Sequence, residues 1–86
     1  MNKYEQHAEM ELDLHGCTTL ESERALNDVL KEAKYKHIRI IIGKGTHSEN
    51  GPVLPIFVRN YLNARGLKHR PAKLKDGGEG ALEVFL

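Results

Sequence analysis

Two short segments of the chain contain side chains that can transfer protons and hold an anion. These residues are Asp13, His15, Gly43, Lys44, Gly45, His47 and Ser48. Histidine titrates near pH 7 and acts as a general acid or base, and a neighbouring carboxylate can orient its ring. Glycines after a strand let the backbone approach a phosphate with its N–H groups facing the anion. Together the two segments predict an acid–base site for an anionic ligand.

Each segment also has a purely structural explanation. A tight turn accounts for Gly43-Lys44-Gly45, which lacks the spacing of a nucleotide P-loop and the third glycine of a dinucleotide-binding fingerprint. Asp13 and His15 are two residues apart on one strand face and would also form an ordinary surface pair. The remaining histidines are interpreted as solvated; they are His7, His37 and His69. The functional interpretation therefore depends on the fold bringing both segments to one place.

Alternating apolar and polar residues predict the strand that carries the first segment. In MELDLH, residues 10–15, the apolar side chains point to one face and the polar ones to the other. Thr18 and Glu21 then form a capping box, and apolar residues at helical spacing follow. This pattern predicts a helix from about Thr19 to Tyr35.

The rest of the chain predicts a second helix and three further strands. HIRIII, residues 37–42, has the nearly continuous apolar character of an interior parallel strand covered on both faces. An apolar stripe over residues 54–62 predicts the helix. Residues 67–74 predict a basic strand, which Pro71 places at a sheet edge or a bulge, and residues 81–86 predict the last strand.

These elements predict an α/β fold in the order β-α-β-α-β-β. Two strand–helix–strand crossovers make the first three strands parallel, with right-handed connections. Because 86 residues cannot cover both faces of a sheet with two helices, we expect a two-layer α/β sandwich with a mixed four-stranded sheet. Residues 1–9 are predicted to be an N-terminal extension, and residues 10–86 a single domain.

Parallel strands end at one edge of a sheet, where open α/β proteins usually bind their ligands. The first strand brings Asp13 and His15 to this edge, and the second brings the glycine segment. The third brings Lys73 and Lys75, followed by the turn that contains Gly78. The sequence therefore predicts a single rim with histidines, a carboxylate, lysines and most of the glycines.

Charge is distributed unevenly along the chain. Residues 1–33 carry eight acidic and three basic side chains, residues 34–75 carry one acidic and ten basic, and residues 76–86 carry three acidic. The middle segment is therefore +9 in a chain of net charge +1, which indicates a local anionic partner.

The single cysteine, Cys17, excludes an internal disulfide and fits a reducing compartment. No apolar run reaches the ~20 residues of a membrane span, so we expect no membrane partner. With the lone cysteine, we expect a cytoplasmic protein, and we expect it to be a monomer.

Three motifs resemble the Smr (small MutS-related) domain family: LDLHG at 12–16, GKGTHS at 43–48 and GGEGALEVFL at 77–86. The resemblance covers residues 10–86. It implies a two-layer fold similar to the C-terminal, RNA-binding domain of translation initiation factor three. It also implies nicking or endonuclease activity on nucleic acids. Some members of the family cleave messenger RNA at stalled ribosomes, and others form the C-terminal domain of MutS-like ATPases.

The resemblance places the family's active-site motif on Asp13, Leu14 and His15, and its glycine loop on the segment that begins at Gly43. One departure is Ile42, where many members carry threonine or histidine, and this removes a polar group from the rim. The candidate catalytic residues are Asp13, His15 and His47. The candidate phosphate or nucleic-acid ligands are Gly43, Lys44, Gly45, Ser48, Lys73, Lys75 and Gly78.

We therefore expect a nucleic-acid-binding endonuclease that cleaves single-stranded or ribosome-associated RNA. His15 and His47 act as base and acid, and Lys44 with backbone N–H groups neutralises charge on the phosphate. Two-metal hydrolysis needs several converging carboxylates, so we expect no cofactor; a single Mg²⁺ bound by Asp13 and the phosphate is the alternative. Two other functions stay open: a non-catalytic module that docks on RNA or the ribosome through residues 67–75, and a DNA-nicking endonuclease.

Overall fold

The computed structural model describes residues 7–43 and 53–86. Its elements are β1 (Met10–Asp13), α1 (Thr19–Glu32), β2 (His37–Ile41), α2 (Val53–Ala64), β3 (Lys68–Pro71) and β4 (Ala81–Phe85), with two short 3₁₀ helices, Leu74–Asp76 and Gly78–Gly80, between β3 and β4. The predicted order β-α-β-α-β-β is confirmed. In the described part of the chain, neither helix has the length and apolar character needed to cross a membrane.

The sheet has the strand order β1-β2-β4-β3. β1 is parallel to β2, and β4 is antiparallel to both β2 and β3, so the first three strands are parallel as predicted. Both crossovers move in the same direction across the sheet, and right-handed connections then place both helices on one face. The two-layer sandwich is confirmed, and β3 forms an edge strand, as Pro71 predicts.

The core lies between the helices and alternate residues of the two central strands. It includes Ile38, Ile40, Ile42, Leu82 and Val84 from the sheet side and Leu26, Val29, Val58, Tyr61 and Leu62 from the helices. Each fully buried aliphatic side chain of this kind contributes about 1.5–3 kcal/mol. The strict alternation fixes the register, because a slip of one strand by one residue would turn its core side chains to the opposite face of the sheet.

The other face of β2 corrects two predictions. No second helical layer covers β2 in the described structure, and Arg39 and Ile41 on that face are half-buried. His37 is 7% exposed, and its Nε2 lies 2.7 Å from Glu83 Oε1, so its interpretation as a solvated histidine is wrong. Phe85 covers its ring, with the two ring centroids 4.7 Å apart. β2 is therefore apolar on one face and covered by paired side chains on the other.

Helix α1 begins where the capping box predicts. Thr18 Oγ1 accepts a hydrogen bond from the Glu21 N–H at 3.1 Å, and the Thr18 N–H donates to Glu21 Oε1 at 2.8 Å. The helix ends at Glu32 and not near Tyr35, because Ala33 adopts the left-handed conformation with φ 53°. Its N–H donates to the Leu30 carbonyl oxygen, which closes the last turn.

Candidate active site

The carboxyl ends of the parallel strands meet at one edge of the sheet, as predicted. Asp13 pairs with Ile41, and Ile41 pairs with Ala81. The Ala72 N–H donates to the Ala81 carbonyl oxygen at 3.0 Å, which extends this row to the end of β3. The strand ends that carry the predicted site residues are therefore neighbours.

Asp13 and His15 form a hydrogen-bonded pair at the end of β1. His15 Nδ1 lies 2.5 Å from Asp13 Oδ1, and the His15 backbone N–H donates to the same oxygen at 3.1 Å. The side chains are 69% and 54% exposed for His15 and Asp13, respectively. An exposed pair adds little to stability. Its two hydrogen bonds instead fix the orientation of the imidazole.

The charge on Asp13 determines which nitrogen of neutral His15 carries the proton. The hydrogen bonds from the His15 side chain and then from its backbone N–H lower the pKa of Asp13, so this carboxylate is ionised at neutral pH. An ionised carboxylate only accepts hydrogen bonds, so Nδ1 carries the proton of the pair. Nε2 of neutral His15 then has a lone pair that can accept a proton. The pair has the arrangement of a general base held by a carboxylate.

Gly43 brings the start of the glycine segment against His15. A Cβ added at Gly43 would lie 3.7 Å from the His15 Cβ, and Gly43 has a φ of 71°, which favours glycine. The N–H groups of Ile42 and Gly43 both donate to the Gly80 carbonyl oxygen, at 2.8 and 3.0 Å. The ends of β1 and β2 are thus joined to the turn between β3 and β4.

Position 42 does not face the rim. Ile42 is 3% exposed and belongs to the core. The expectation that isoleucine here removes a polar group from the rim is therefore wrong, because a side chain at this position points toward the helices.

The β3–β4 turn, residues 72–80, is fixed by its own hydrogen bonds. The Gly78 N–H donates to the Lys73 carbonyl oxygen at 2.9 Å, and Gly78 is buried. Gly77 has a φ of 118°, and a Cβ there would lie 2.9 Å from the Ala81 Cβ, so only glycine fits. The described geometry gives Gly78 a turn-forming role, and its predicted role as a phosphate ligand stays a prediction. Lys73 and Lys75 are exposed on this turn.

Four predicted site residues, Lys44, Gly45, His47 and Ser48, lie outside the described residues. Their roles therefore stay predictions. Of the predicted residues that are described, Asp13, His15 and Gly43 are in direct proximity, and the turn that carries the lysines is bonded to Gly43.

An ion-pair cluster that the sequence did not predict lies on the sheet face that the helices leave open. Arg39 Nε donates to Glu83 Oε2 at 2.7 Å, and its guanidinium also lies 3.6 Å from Asp76 Oδ2 and 3.5 Å from Glu11 Oε2. Arg39 and Glu83 are directly opposite in the β2–β4 register. The apolar residues of β2 and β4 alternate with Arg39 and Glu83. An antiparallel pairing that matches the apolar residues of the two strands would therefore have placed Arg39 opposite Glu83. The cluster ties the β3–β4 turn to the centre of the sheet through Asp76.

Comparisons with known proteins agree with this architecture. The sequence profile of the Smr domain matches residues 12–86. A protein of uncharacterised function from Treponema pallidum (strain Nichols) is 37% identical over 84 residues, which cover 91% of this chain and 41% of that protein. Endonuclease MutS2 from Carboxydothermus hydrogenoformans is 36% identical over 86 residues, which cover 94% of this chain and 10% of that protein. The chain thus spans less than half the length of these relatives.

Three solved structures share the fold. The Smr domain of Thermus thermophilus MutS2 is 28% identical with a TM-score of 0.75, covering 90% of this chain and 96% of that one. The B3BP Smr domain is 26% identical with a TM-score of 0.69, and the match covers 88% of this chain and 76% of that one. A human small-MutS related domain is 27% identical with a TM-score of 0.69, and the match covers 87% of this chain and 98% of that one. The similarity confirms the predicted α/β fold class.

Proposed function

The chain belongs to the Smr domain family, and on this premise we propose that it is an endonuclease domain that cleaves single-stranded RNA by histidine acid–base chemistry. One relative is named as an endonuclease, which supports cleavage of a phosphodiester bond as the reaction. The observation that carries the proposal is the exposed Asp13–His15 pair beside Gly43. The pair holds an imidazole at the rim through Nδ1, so we assign the reaction with a substrate to Nε2.

In the proposed reaction, His15 Nε2 takes the proton of a ribose 2′-hydroxyl, and the 2′-oxygen attacks the adjacent phosphorus. The bond between phosphorus and the 5′-oxygen breaks, and protonated His47 gives its proton to the departing oxygen. The products are a 2′,3′-cyclic phosphate and a 5′-hydroxyl end. Asp13 stabilises the imidazolium that forms on His15. Imidazoles suit both proton transfers because they titrate near neutral pH.

The attacked phosphate gains negative charge, and preorganised donors lower the barrier by neutralising it. We assign this role to Lys44 and to the backbone N–H groups of the loop that follows it, including those of Gly45 and Ser48. The Gly43 N–H is already bonded to Gly80, so we assign to Gly43 the role of starting the loop from a position beside His15. Gly43 has a φ of 71°, so a larger residue there would strain the backbone where the loop begins.

We propose that the reaction needs no metal ion. Two-metal hydrolysis uses several converging carboxylates. Among residues 7–43 and 53–86, no group of three His, Cys, Asp or Glu side chains is placed to hold a metal. Asp13 is engaged by His15 through two hydrogen bonds. A single Mg²⁺ shared by Asp13 and the phosphate is the competing arrangement.

Incubation of the purified chain with end-labelled single-stranded RNA and with DNA of the same sequence tests this proposal. We expect RNA cleavage with and without EDTA, leaving 2′,3′-cyclic phosphate ends, because the nucleophile belongs to the RNA. DNA should stay intact. The His15→Ala variant, purified identically, controls for contaminating nucleases. Cleavage of the DNA would establish a nicking enzyme, and loss of cleavage in EDTA would establish a metal-dependent one.

A non-catalytic module that docks on RNA or the ribosome is the second candidate. It is favoured by the exposed basic residues Lys68 and Arg70 on the edge strand β3. Such a module would bind RNA without cutting it and would keep its affinity when His15 is removed. Binding with no cleavage under any condition above would select this function.

Replacing both Lys73 and Lys75 by alanine is expected to weaken RNA binding and reduce its salt dependence. Both are exposed on the β3–β4 turn at the rim. Each phosphate contact on a single strand contributes about 0.7 to the slope of log affinity against log salt, so the slope should fall by about 1.4. Fluorescence anisotropy over a series of KCl concentrations measures this slope. An unchanged slope would place the nucleic acid on another surface.

A further inference from the structure

A groove at the amino end of β3 combines apolar and cationic side chains. We call it the β3 groove; it has a volume of about 400 Å³ and is lined by Asn63, Leu67, Lys68, His69, Arg70 and Phe85. Leu67 and Phe85 are half-buried and form its apolar part, while Lys68 and Arg70 are exposed. Small-ligand sites have volumes of about 300–1,000 Å³, so the groove has room for one nucleotide.

The cations of the β3 groove are not neutralised by the nearest carboxylate. Arg70 lies directly opposite Glu83 in the β3–β4 register, but both Glu83 oxygens are bonded to side chains of β2. Among the described residues, neither Lys68 nor Arg70 forms an ion pair. The Arg70 guanidinium instead lies 5.5 Å from the centroid of the Phe85 ring. The groove therefore keeps a positive potential beside an aromatic ring, which suits an anion that carries a flat apolar group.

Phe85 is held in place from within the sheet. His37 stacks on it at an interplanar angle of 25°, and the His37 ring is in turn bonded to Glu83. Binding therefore need not immobilise the Phe85 ring, because the fold has already done so. Single-stranded nucleic acids are bound by this combination, in which aromatic rings contact bases and cations contact the backbone.

We propose that the β3 groove is a second nucleotide subsite, which binds a nucleotide of the same single strand at a distance from the cleaved bond. The base contacts Leu67 and Phe85, and the phosphate lies between Lys68 and Arg70. This inference rests on the proposed function, because the bound strand must also reach His15.

The position of the β3 groove sets the length of nucleic acid that can use it. The groove and Asp13 are at diagonal corners of the sheet, roughly 13 Å apart along the strands and 14 Å across them, or about 20 Å in all. About six stacked nucleotides at roughly 3.4 Å each span this distance. An oligonucleotide of about four stacked nucleotides bound at the rim is therefore too short to reach the β3 groove.

Affinity measured against oligonucleotide length tests the inference. In the Lys68→Ala/Arg70→Ala variant, we expect binding of a single-stranded RNA of about 12 nucleotides to weaken about tenfold, with the salt slope lower by about 1.4, while an RNA of about four nucleotides is unaffected. In cleavage assays the KM for the long RNA rises and kcat is unchanged, because the lost contact is far from the reacting atoms.

The matched control removes two exposed cations from helix α1. Arg24→Ala/Lys31→Ala lowers the net charge equally and should leave both RNA lengths bound as in the wild type. An equal loss for long and short RNA, or no loss for either, overturns the subsite, and the proposed function stands if the wild type still binds and cleaves. Failure of the wild type to bind any single strand overturns both.

Discussion

The His15→Ala variant is expected to cleave RNA roughly 10²–10⁴-fold more slowly than the wild type, which is the usual contribution of a positioned general base. The side chain is 69% exposed and its hydrogen bond to Asp13 lies at the surface, so the folded domain should persist. Circular dichroism and the melting temperature check the fold, and single-turnover cleavage measures the rate. RNA affinity should change little, because binding depends on the cations.

Two further variants distinguish catalysis from general effects of charge. Asp13→Asn keeps the shape of the pair but removes the negative charge that stabilises the imidazolium, so it should lose rate but retain RNA affinity. His7→Ala removes an exposed histidine near the N-terminus and should cleave like the wild type. If His15→Ala also cleaves like the wild type, His15 is not the base. If it unfolds, the pair has a structural role.

The parts of the fold that depend on local patterns were predictable from the sequence. The capping box at Thr18 and Glu21 marks the start of α1, because both of its hydrogen bonds are between residues three apart. Alternation over residues 10–15 separates Asp13 and His15 from the core. Parallel strand order then places these residues near Gly43, as observed. This convergence follows from topology and needs no knowledge of side-chain contacts.

The features that depend on distant pairing were not predictable in the same way. The buried state of His37 requires Glu83 and Phe85, which follow it by more than 40 residues and reach it only because β4 inserts beside β2. The Gly78 N–H is used inside its own turn, which a glycine-rich sequence does not reveal. The early end of α1 at Ala33 likewise has no glycine to mark it.

The Glu83→Ala variant is expected to destabilise the domain by about 3–5 kcal/mol, the cost of removing one partner from a buried ion pair. Glu83 is 5% exposed and bonds Arg39 and His37 at 2.7 Å each. Its loss leaves the half-buried Arg39 and the buried His37 imidazole without this acceptor. Small domains are stable by only about 5–15 kcal/mol, so the variant should unfold at much lower urea concentration. Urea unfolding followed by circular dichroism measures the change.

The pH dependence of the same site gives a sharper test with Glu83→Gln. Burial by itself raises the pKa of Glu83, but the hydrogen bonds from Arg39 and His37 outweigh it and the pKa lies below its ordinary value. A carboxyl group with a lowered folded pKa stabilises the fold above its unfolded pKa, about 4.3, and loses this contribution as the pH falls through the folded pKa. The difference in unfolding free energy between wild type and Glu83→Gln should therefore be largest near pH 7 and shrink below about pH 4.3.

Glu11→Gln is the matched control. It removes an exposed carboxylate that lies 3.5 Å from the same Arg39 and should cost less than about 0.5 kcal/mol of unfolding free energy. A difference that stays constant across this pH range would mean that the charge of Glu83 does not stabilise the fold.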